Sequence, residues 1–462
     1  MSLTENPYLT GSLRPVHDEV DIEDLAVTGQ VPEALNGLFL RNGPNPEFEP
    51  RGDYHLFDGD GMLHGLWFAE GSARRYKNRW IETAGLGAER RVGRSCFGGM
   101  VDVDGAAAEV RAEVGHVKNV ANTHVIRHAN RIMALWEVGQ PHEISPELDT
   151  IGPFDFDGQL NGTMTAHPHE DPLTGELLFF GYGLVPPYLT FYRLDATGTL
   201  VEKAEIDIPD PVMMHDFAIT ENHVLFLDAP AVFDLHAALA GGPIFDWRPE
   251  RGTRIGVFNR TAGPSSIRWF DTEPGYVFHF LNAFEQGDEI HLVGCRQERL
   301  EMGLNDDGRT NVVLPHLTRW TIDQSAGIVK QEQLDDAMAD FPRIDERRTG
   351  HRNEVGYLTG WSTMPAHGGG TFDIVTRLDM RTGAKSSYQH GPGRTTGEAI
   401  FAPDPNGTAE DDGWLLSYVY DAATDRSDVV ILDAHDPAAG PVAIVHLPRR
   451  APFGFHGSWL AG

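Results

Sequence analysis

Apolar residues along this chain gather into short runs, each closed by Gly, Pro, Asp or Asn. "RIMALWEV", "GELLFFGY", "HVLFLD", "EIHLVGC", "GWLLSYVY" and "DVVILD" show the pattern. Their length and their aromatic and branched content predict strands, while sustained helical periodicity is scarce. The connections share a chemistry. "DPLTGE" (171–176), "DATGTL" (195–200), "DQSAGI" (323–328) and "DMRTGA" (379–384) each begin with Asp and reach Gly within one turn. Asp accepts hydrogen bonds from the turn backbone and Gly tolerates positive φ, so these segments predict hairpins. "FYRLDATGTLVEKAEI" and "VTRLDMRTGAKSSYQH" repeat the order strand, Asp turn, strand. Weak repetition of this kind points to an all-β fold, a β-propeller, with a pair of sandwiches as the alternative. No low-complexity linker divides the chain, so residues 1–462 are expected to form one domain. Two short helices are expected as decorations, over 233–240 and 334–341.

Composition narrows the partners. The 51 glycines and 30 prolines are spread over all 462 residues, as many turns require. Acids outnumber bases by 68 to 37, a formal charge of −31. Such a surface repels nucleic acid and anionic membranes. The two cysteines, Cys96 and Cys295, make no disulfide framework and no cysteine metal site, which suits a reducing cytoplasm. The first twenty residues lack the basic end and apolar stretch of a signal peptide, and no apolar run approaches the ~18 residues of a membrane span.

The candidate chemistry lies in the 21 histidines. His17, His236 and His435 sit in turn-like contexts. His116, His128, His223, His291 and His446 sit in or beside strand patterns without polar neighbours in sequence. Four others are embedded in apolar residues, where an imidazole needs a partner to offset its desolvation. They are His167 in "MTAHPHEDP", His215 in "MMHDFAIT", His279 in "YVFHFLNAFE" and His456 in "PFGFHGSWL". No local motif links them. In a propeller, however, the inner strands all face one axis, so distant histidines can converge on one ion, and imidazole suits iron, copper, nickel and zinc. "GDGMLHG" lacks the features of a phosphate loop, and its Asp58 and His64 read as structural turn residues. The acids of "TAEDDGW" lack EF-hand spacing and read as a solvated turn.

Seven segments in register, "LNGLFLRNGPNP", "HLFDGDGMLHG", "NTHV", "MTAHPHEDP", "MMHDFAIT", "FHFLNAFE" and "FGFHGSW", give the chain a resemblance to the bacterial branch of the carotenoid cleavage oxygenase family. The resemblance runs from about residue 7 to 460. It implies a seven-bladed propeller, with loops and short helices capping one non-haem iron(II) per chain. Its ligands are carried over onto His167, His215, His279 and His456. His169 does not match a ligand position and is expected in a supporting or surface role. Carboxylates that orient the ligands are implied at Glu137, Glu398 and Asp340. The family usually shows Glu at the third, so Asp340 is one methylene shorter. Thr123 matches a position beside the iron, where its methyl crowds one coordination site.

The resemblance further implies cleavage of a carbon–carbon double bond by O2, giving two carbonyl products. Relatives that act on hydroxystilbenes and phenylpropenes hold the phenol with Lys and Tyr. Here those positions align with Trp136 and Met100, which suits a carotenoid or apocarotenoid chain better. Trp136, Met100, Phe280 and Phe284 are the candidate lining of a substrate tunnel. "GYGLVPPYLTFY" (181–192) offers an apolar lip for transient contact with a membrane surface. The alternatives are a phenolic substrate, an isomerohydrolase, a calcium-dependent propeller hydrolase and a non-catalytic binding propeller.

Overall fold

The structure, a computed structural model, describes residues 6–462 apart from 53, 101–104, 241, 303–312 and 364–371. Among the described residues, helices are few and short, and antiparallel sheets follow one another along the chain. Four strands from His124–His128 to Thr150–Pro153 form one sheet, and four from His169–Glu170 to Leu200–Ile206 form the next. A third runs from Phe217–Ile219 to Arg268–Thr272. A seven-stranded ribbon follows, from Tyr276–Gln286 to Lys385–Gln389.

That ribbon is two sheets joined through one strand. Ile328–Arg343 pairs with His316–Asp323 over its first part and with Val355–Gly360 over its last. Apart from a two-stranded pair, Ala231–Phe233 with Phe245–Trp247, two sheets remain, and they tie the ends of the chain together. Gly457–Ala461 pairs with Gly37–Pro44 in the sheet that opens the chain, and Val27–Gly29 pairs with Pro441–His446 at the edge of the last one. Seven sheets in this order fit the expected seven-bladed propeller.

The core lies between neighbouring sheets. Leu177–Tyr182 is buried on both faces: Leu178 and Phe180 pack toward one cluster, Leu177 and Phe179 toward another. Burial on both faces explains why "GELLFFGY" is continuously apolar instead of alternating. All four Asp turns are hairpin connections. Asp171, Asp195, Asp323 and Asp379 accept hydrogen bonds from turn N–H groups, and Gly175, Gly198, Gly327 and Gly383 have φ between 69° and 82°.

Two local expectations need correction. Residues 334–341 are not a helix; they belong to the strand Ile328–Arg343, where pairing with two sheets overrides the local preference for helix. His64 lies in the strand Gly61–Ala69, not in a turn, and bonds Tyr76 Oη through Nδ1 at 2.8 Å. The helix Leu235–Leu239 forms as expected. Ala84–Val92 and Ala108–Val114 are additional helices. The first has ordinary punctuation: Thr83 caps its start and Gly93, at φ 81°, ends it.

Candidate metal centre

Each of the four singled-out histidines sits at or just before the first strand of a sheet, or, for His456, before the strand that closes the chain. This placement turns separations of 48, 64 and 177 residues in sequence into contact. One ring nitrogen from each of His167, His215, His279 and His456 lies within 4.8 Å of all the others, and all four residues are buried or nearly so. Ring centroids are 4.5 Å apart for His167 and His456, 4.6 Å for His167 and His215, and 4.8 Å for His279 and His456.

Three of the four rings are held from behind by a carboxylate. His215 Nδ1 donates to Glu137, His279 Nδ1 to Asp340 at 2.8 Å, and His456 Nδ1 to Glu398 at 3.0 Å. A carboxylate at Nδ1 fixes the proton there and leaves the Nε2 lone pair facing the centre. Asp340 reaches its histidine directly despite its shorter side chain. Its Oδ1 also accepts from Phe341 N at 2.9 Å.

The supporting groups are themselves tied down. Tyr182 Oη donates to Glu137 at 2.7 Å, and Gly457 N donates to Glu398 at 3.0 Å. Arg343 lies 3.7 Å from Glu398.

The electrostatics suit a cation. Burial, then repulsion from the neighbouring histidines, pushes His167 and His456 well below the ordinary imidazole range, so both are neutral at pH 7. For His279 burial pulls the same way, but Asp340 together with Asp216 and Glu398 outweighs it and the net direction is up. His279 Nε2 is buried with no hydrogen-bond partner. His167 Nε2 faces His215 Nε2 at 3.0 Å. Converging ring nitrogens with an orphaned acceptor are costly unless something shares their lone pairs, and a metal ion does so. The donor set therefore fits a single divalent transition metal, and calcium, which takes oxygen ligands, fits it poorly.

The centre opens onto a cavity of about 1100 Å³. His215, His279 and His456 form its floor, and Phe57, Phe278, Phe341 and Trp361 stand in its walls. Thr123, Trp136 and Met100 line it. Thr123 is against the centre, its carbonyl accepting from His456 N at 3.1 Å and its hydroxyl donating to Asn122. Phe280 and Phe284 do not line this cavity. Phe280 packs between sheets against Trp320, and Phe284 stacks on His291 of the adjacent strand. Irregular pairing on both sides of Phe280 changes which side chains of the strand face inward, and Phe278 takes the cavity position.

His169 is not in the four-histidine group. Its Nε2 bonds the Phe217 carbonyl at 2.8 Å, and it borders a smaller cavity of about 440 Å³. Several of the histidines read as lone strand residues have acidic partners in space. His128 pairs with Glu170, His223 with Glu285, and His446 with Asp428. Glu410 and Asp411 of the "TAEDDGW" turn are likewise engaged, with Glu354 N and with Arg377.

Two residues at the centre escape sequence reasoning. His124 is buried beside His456, its ring 5.4 Å away, and bonds the Ala166 carbonyl. Asp216 follows His215 directly and accepts from Phe280 N at 2.8 Å, locking the strands of His215 and His279 together. Its only sequence signal is its place beside a candidate ligand.

Fold and site define the class: an all-β protein of propeller type, with a buried four-histidine centre under an aromatic cavity. Comparison with known proteins gives the family. The Retinal pigment epithelial membrane protein family model matches residues 13–461, and the chain belongs to that family, the carotenoid cleavage oxygenases. It is 35% identical over 481 residues to the carotenoid 9,10(9',10')-cleavage dioxygenase 1 of Phaseolus vulgaris, covering 97% of this chain and 88% of the relative. Lignostilbene dioxygenase of Pseudomonas brassicacearum superposes with a TM-score of 0.91 at 31% identity, covering 99% of this chain and 98% of the other. Cobalt-substituted Synechocystis apocarotenoid oxygenase superposes with a TM-score of 0.88 at 29% identity, covering 100% and 99%.

Proposed function

We propose that this chain is an iron(II)-dependent dioxygenase that cleaves one carbon–carbon double bond of a carotenoid or apocarotenoid with O2, giving two carbonyl products. The observation that carries this reading is the four-imidazole centre forming the floor of a large aromatic cavity. His167, His215, His279 and His456 are the proposed ligands. Iron bound there supplies the electron transfer that lets O2 react with a closed-shell alkene.

The protein's own groups do the rest. Glu137, Asp340 and Glu398 keep three imidazoles in one tautomer and one orientation. Thr123 lines the cavity with its hydroxyl committed to Asn122, and we assign its methyl the role of crowding the space beside the histidines. Phe278, Phe341 and Trp136 exclude water and align a flat conjugated chain over the floor. No general acid or base is required, because the alkene and O2 together contain every atom of the two carbonyl products.

The apolar Trp136 and Met100 favour a polyene over a phenol. The second reading, cleavage of a hydroxystilbene or phenylpropene, is favoured by the likeness to lignostilbene dioxygenase. An isomerohydrolase would share the metal centre and consume no O2. A calcium-dependent hydrolase is disfavoured because all three carboxylates are spent on histidines.

We read the whole chain as one oxygenase domain acting in the cytoplasm, consistent with two free buried cysteines. Among the described residues no helix is long and apolar enough to cross a membrane. A lipophilic substrate is collected at the cavity mouth, where Leu184, Leu235 and Leu239 are exposed, and beside which Val185 is 71% exposed. We place transient bilayer contact there. The test is a product assay. Metal-loaded protein receives 18O2 with a β-apocarotenal or a hydroxystilbene, and mass spectrometry seeks paired carbonyl fragments carrying label. Polyene fragments support the first reading and stilbene fragments alone the second. Unlabelled alcohol products without O2 consumption overturn both.

A further inference from the structure

Among the charged side chains of the large cavity that the reaction above does not use, three form one cluster. Lys118 Nζ bonds both Asp60 Oδ1 and Glu89 Oε2, and the three side chains are only 9%, 5% and 2% exposed. All three border the cavity. The lysine is held in one direction. Its stem lies against the backbone of the helix Ala84–Val92 so closely that a Cβ on Gly85 would come within 2.5 Å of Lys118 Cγ. The carboxylates are anchored too, Asp60 by Glu47 N at 3.2 Å and Glu89 by Cys96 N at 2.7 Å. Burial alone would lower the ammonium, but Asp60 and Glu89 outweigh it and keep it charged.

A lysine held only to pin the cap needs one carboxylate. Here there are two, so with both ionised the cluster carries one net negative charge out of water, offset in part by the donors Glu47 N, Cys96 N and Ser95 Oγ. An ammonium has three N–H groups. Two are used, and among the described residues no acceptor takes the third. The site thus offers one donor and a surplus of acceptor capacity, side by side, at the edge of an apolar space. A hydroxyl satisfies both: its oxygen accepts from Lys118, and its proton goes to Asp60 or Glu89. A carbonyl can use only the donor. A carboxylate or phenolate adds a second negative charge and is repelled.

We propose that Lys118, Asp60 and Glu89 form a subsite for a neutral hydroxyl at one end of the hydrophobic substrate, and that this contact sets which double bond lies at the histidine centre. The inference rests on the proposed function, since it needs an extended substrate in this cavity. Lys118 is here a positioning and specificity residue. The ligand is a hydroxylated polyene end or a hydroxystilbene, which share this chemistry.

The test measures dissociation constants on the metal-loaded, oxygen-free protein by quenching of tryptophan fluorescence. The probes are β-apo-8′-carotenal and its 3-hydroxy derivative, stilbene and 4-hydroxystilbene, and stilbene-4-carboxylate. In the unaltered protein the hydroxylated member of at least one pair binds about tenfold tighter, the worth of one buried hydrogen bond. The pair that shows the preference identifies the source of the hydroxyl. Lys118→Met abolishes it and leaves the unsubstituted partner within about twofold. Glu89→Gln removes the net charge, so the carboxylate probe gains about tenfold while the hydroxyl preference remains. This second variant decides the matter where Lys118→Met does not fold. A hydroxyl preference absent from both pairs, one that survives Lys118→Met, or a carboxylate affinity unmoved by Glu89→Gln overturns the inference. Cleavage of the unsubstituted probes without any hydroxyl preference overturns it and leaves the dioxygenase standing. Metal-loaded protein that binds none of the probes overturns both.

Discussion

Glu398 is the carboxylate whose removal has the most legible consequence. It is buried and makes two charge-assisted contacts at 3.0 Å, one from His456 Nδ1 and one from Gly457 N. Glu398→Ala removes both. The Gly457 N–H is then buried without a partner, which costs roughly 1–3 kcal/mol of stability. The imidazole of His456 also loses the contact that fixes its tautomer. Loss of such a contact weakens metal binding by about 10–100-fold, or about 1.4–2.7 kcal/mol. Glu398→Gln keeps one carbonyl oxygen, which can serve His456 or Gly457 but not both in the native geometry, so both losses are smaller. The assay is chelator competition for Co(II) or Fe(II), with thermal melting of the metal-free protein measured separately. Metal affinity within twofold of the unaltered protein, in a folded Glu398→Ala variant, would refute the orienting role. The pair of half-exposed Glu170 and buried His128 is the control, and Glu170→Ala should leave metal affinity unchanged.

Other predictions separate neighbouring roles. His215→Ala should abolish stoichiometric metal, whereas His169→Ala should retain it; equal retention by metal analysis would contradict the assignment. Phe280→Ala should destabilise by about 3–5 kcal/mol in denaturant titration, because it empties a packed position, and leave the position of cleavage unchanged. Trp136→Ala should do the reverse. Glu285 gives a pH dependence: burial would raise it, but hydrogen bonds from His223, Thr220 and Asn222 outweigh that and hold it at about 2, below its usual 4.5. A depressed carboxylate stabilises the fold fully above pH 4.5, and that contribution is lost as pH falls through about 2. Acid unfolding of Glu285→Gln should therefore be flatter across this window, with an identical slope counting against the account.

What the sequence made legible follows physical lines. Strands and Asp–Gly turns are encoded locally, and the four histidines are conspicuous because each sits among apolar residues that give it no local partner. The order of motifs then carried the carboxylates, down to the shortened Asp340. What escaped depends on long-range placement. His124 resembles any strand histidine until the fold sets it beside His456. Phe280 and Phe284 exchange with Phe278 because of pairing irregularities that no periodicity reveals. Residues 334–341 carry helix-forming residues, yet two flanking sheets claim them. The Lys118, Asp60 and Glu89 cluster joins residues 29 to 58 positions apart, each an ordinary charge in sequence.

The central claim is that four imidazoles bind one iron. The most direct measurement is iron content by mass spectrometry, together with X-ray absorption at the iron edge, on protein loaded with Fe(II) without oxygen. The account predicts one iron per chain with a first shell of about four imidazole nitrogens, falling to negligible occupancy in His215→Ala and His279→Ala. Absence of stoichiometric iron, or iron surrounded mainly by oxygen and indifferent to those substitutions, would contradict it.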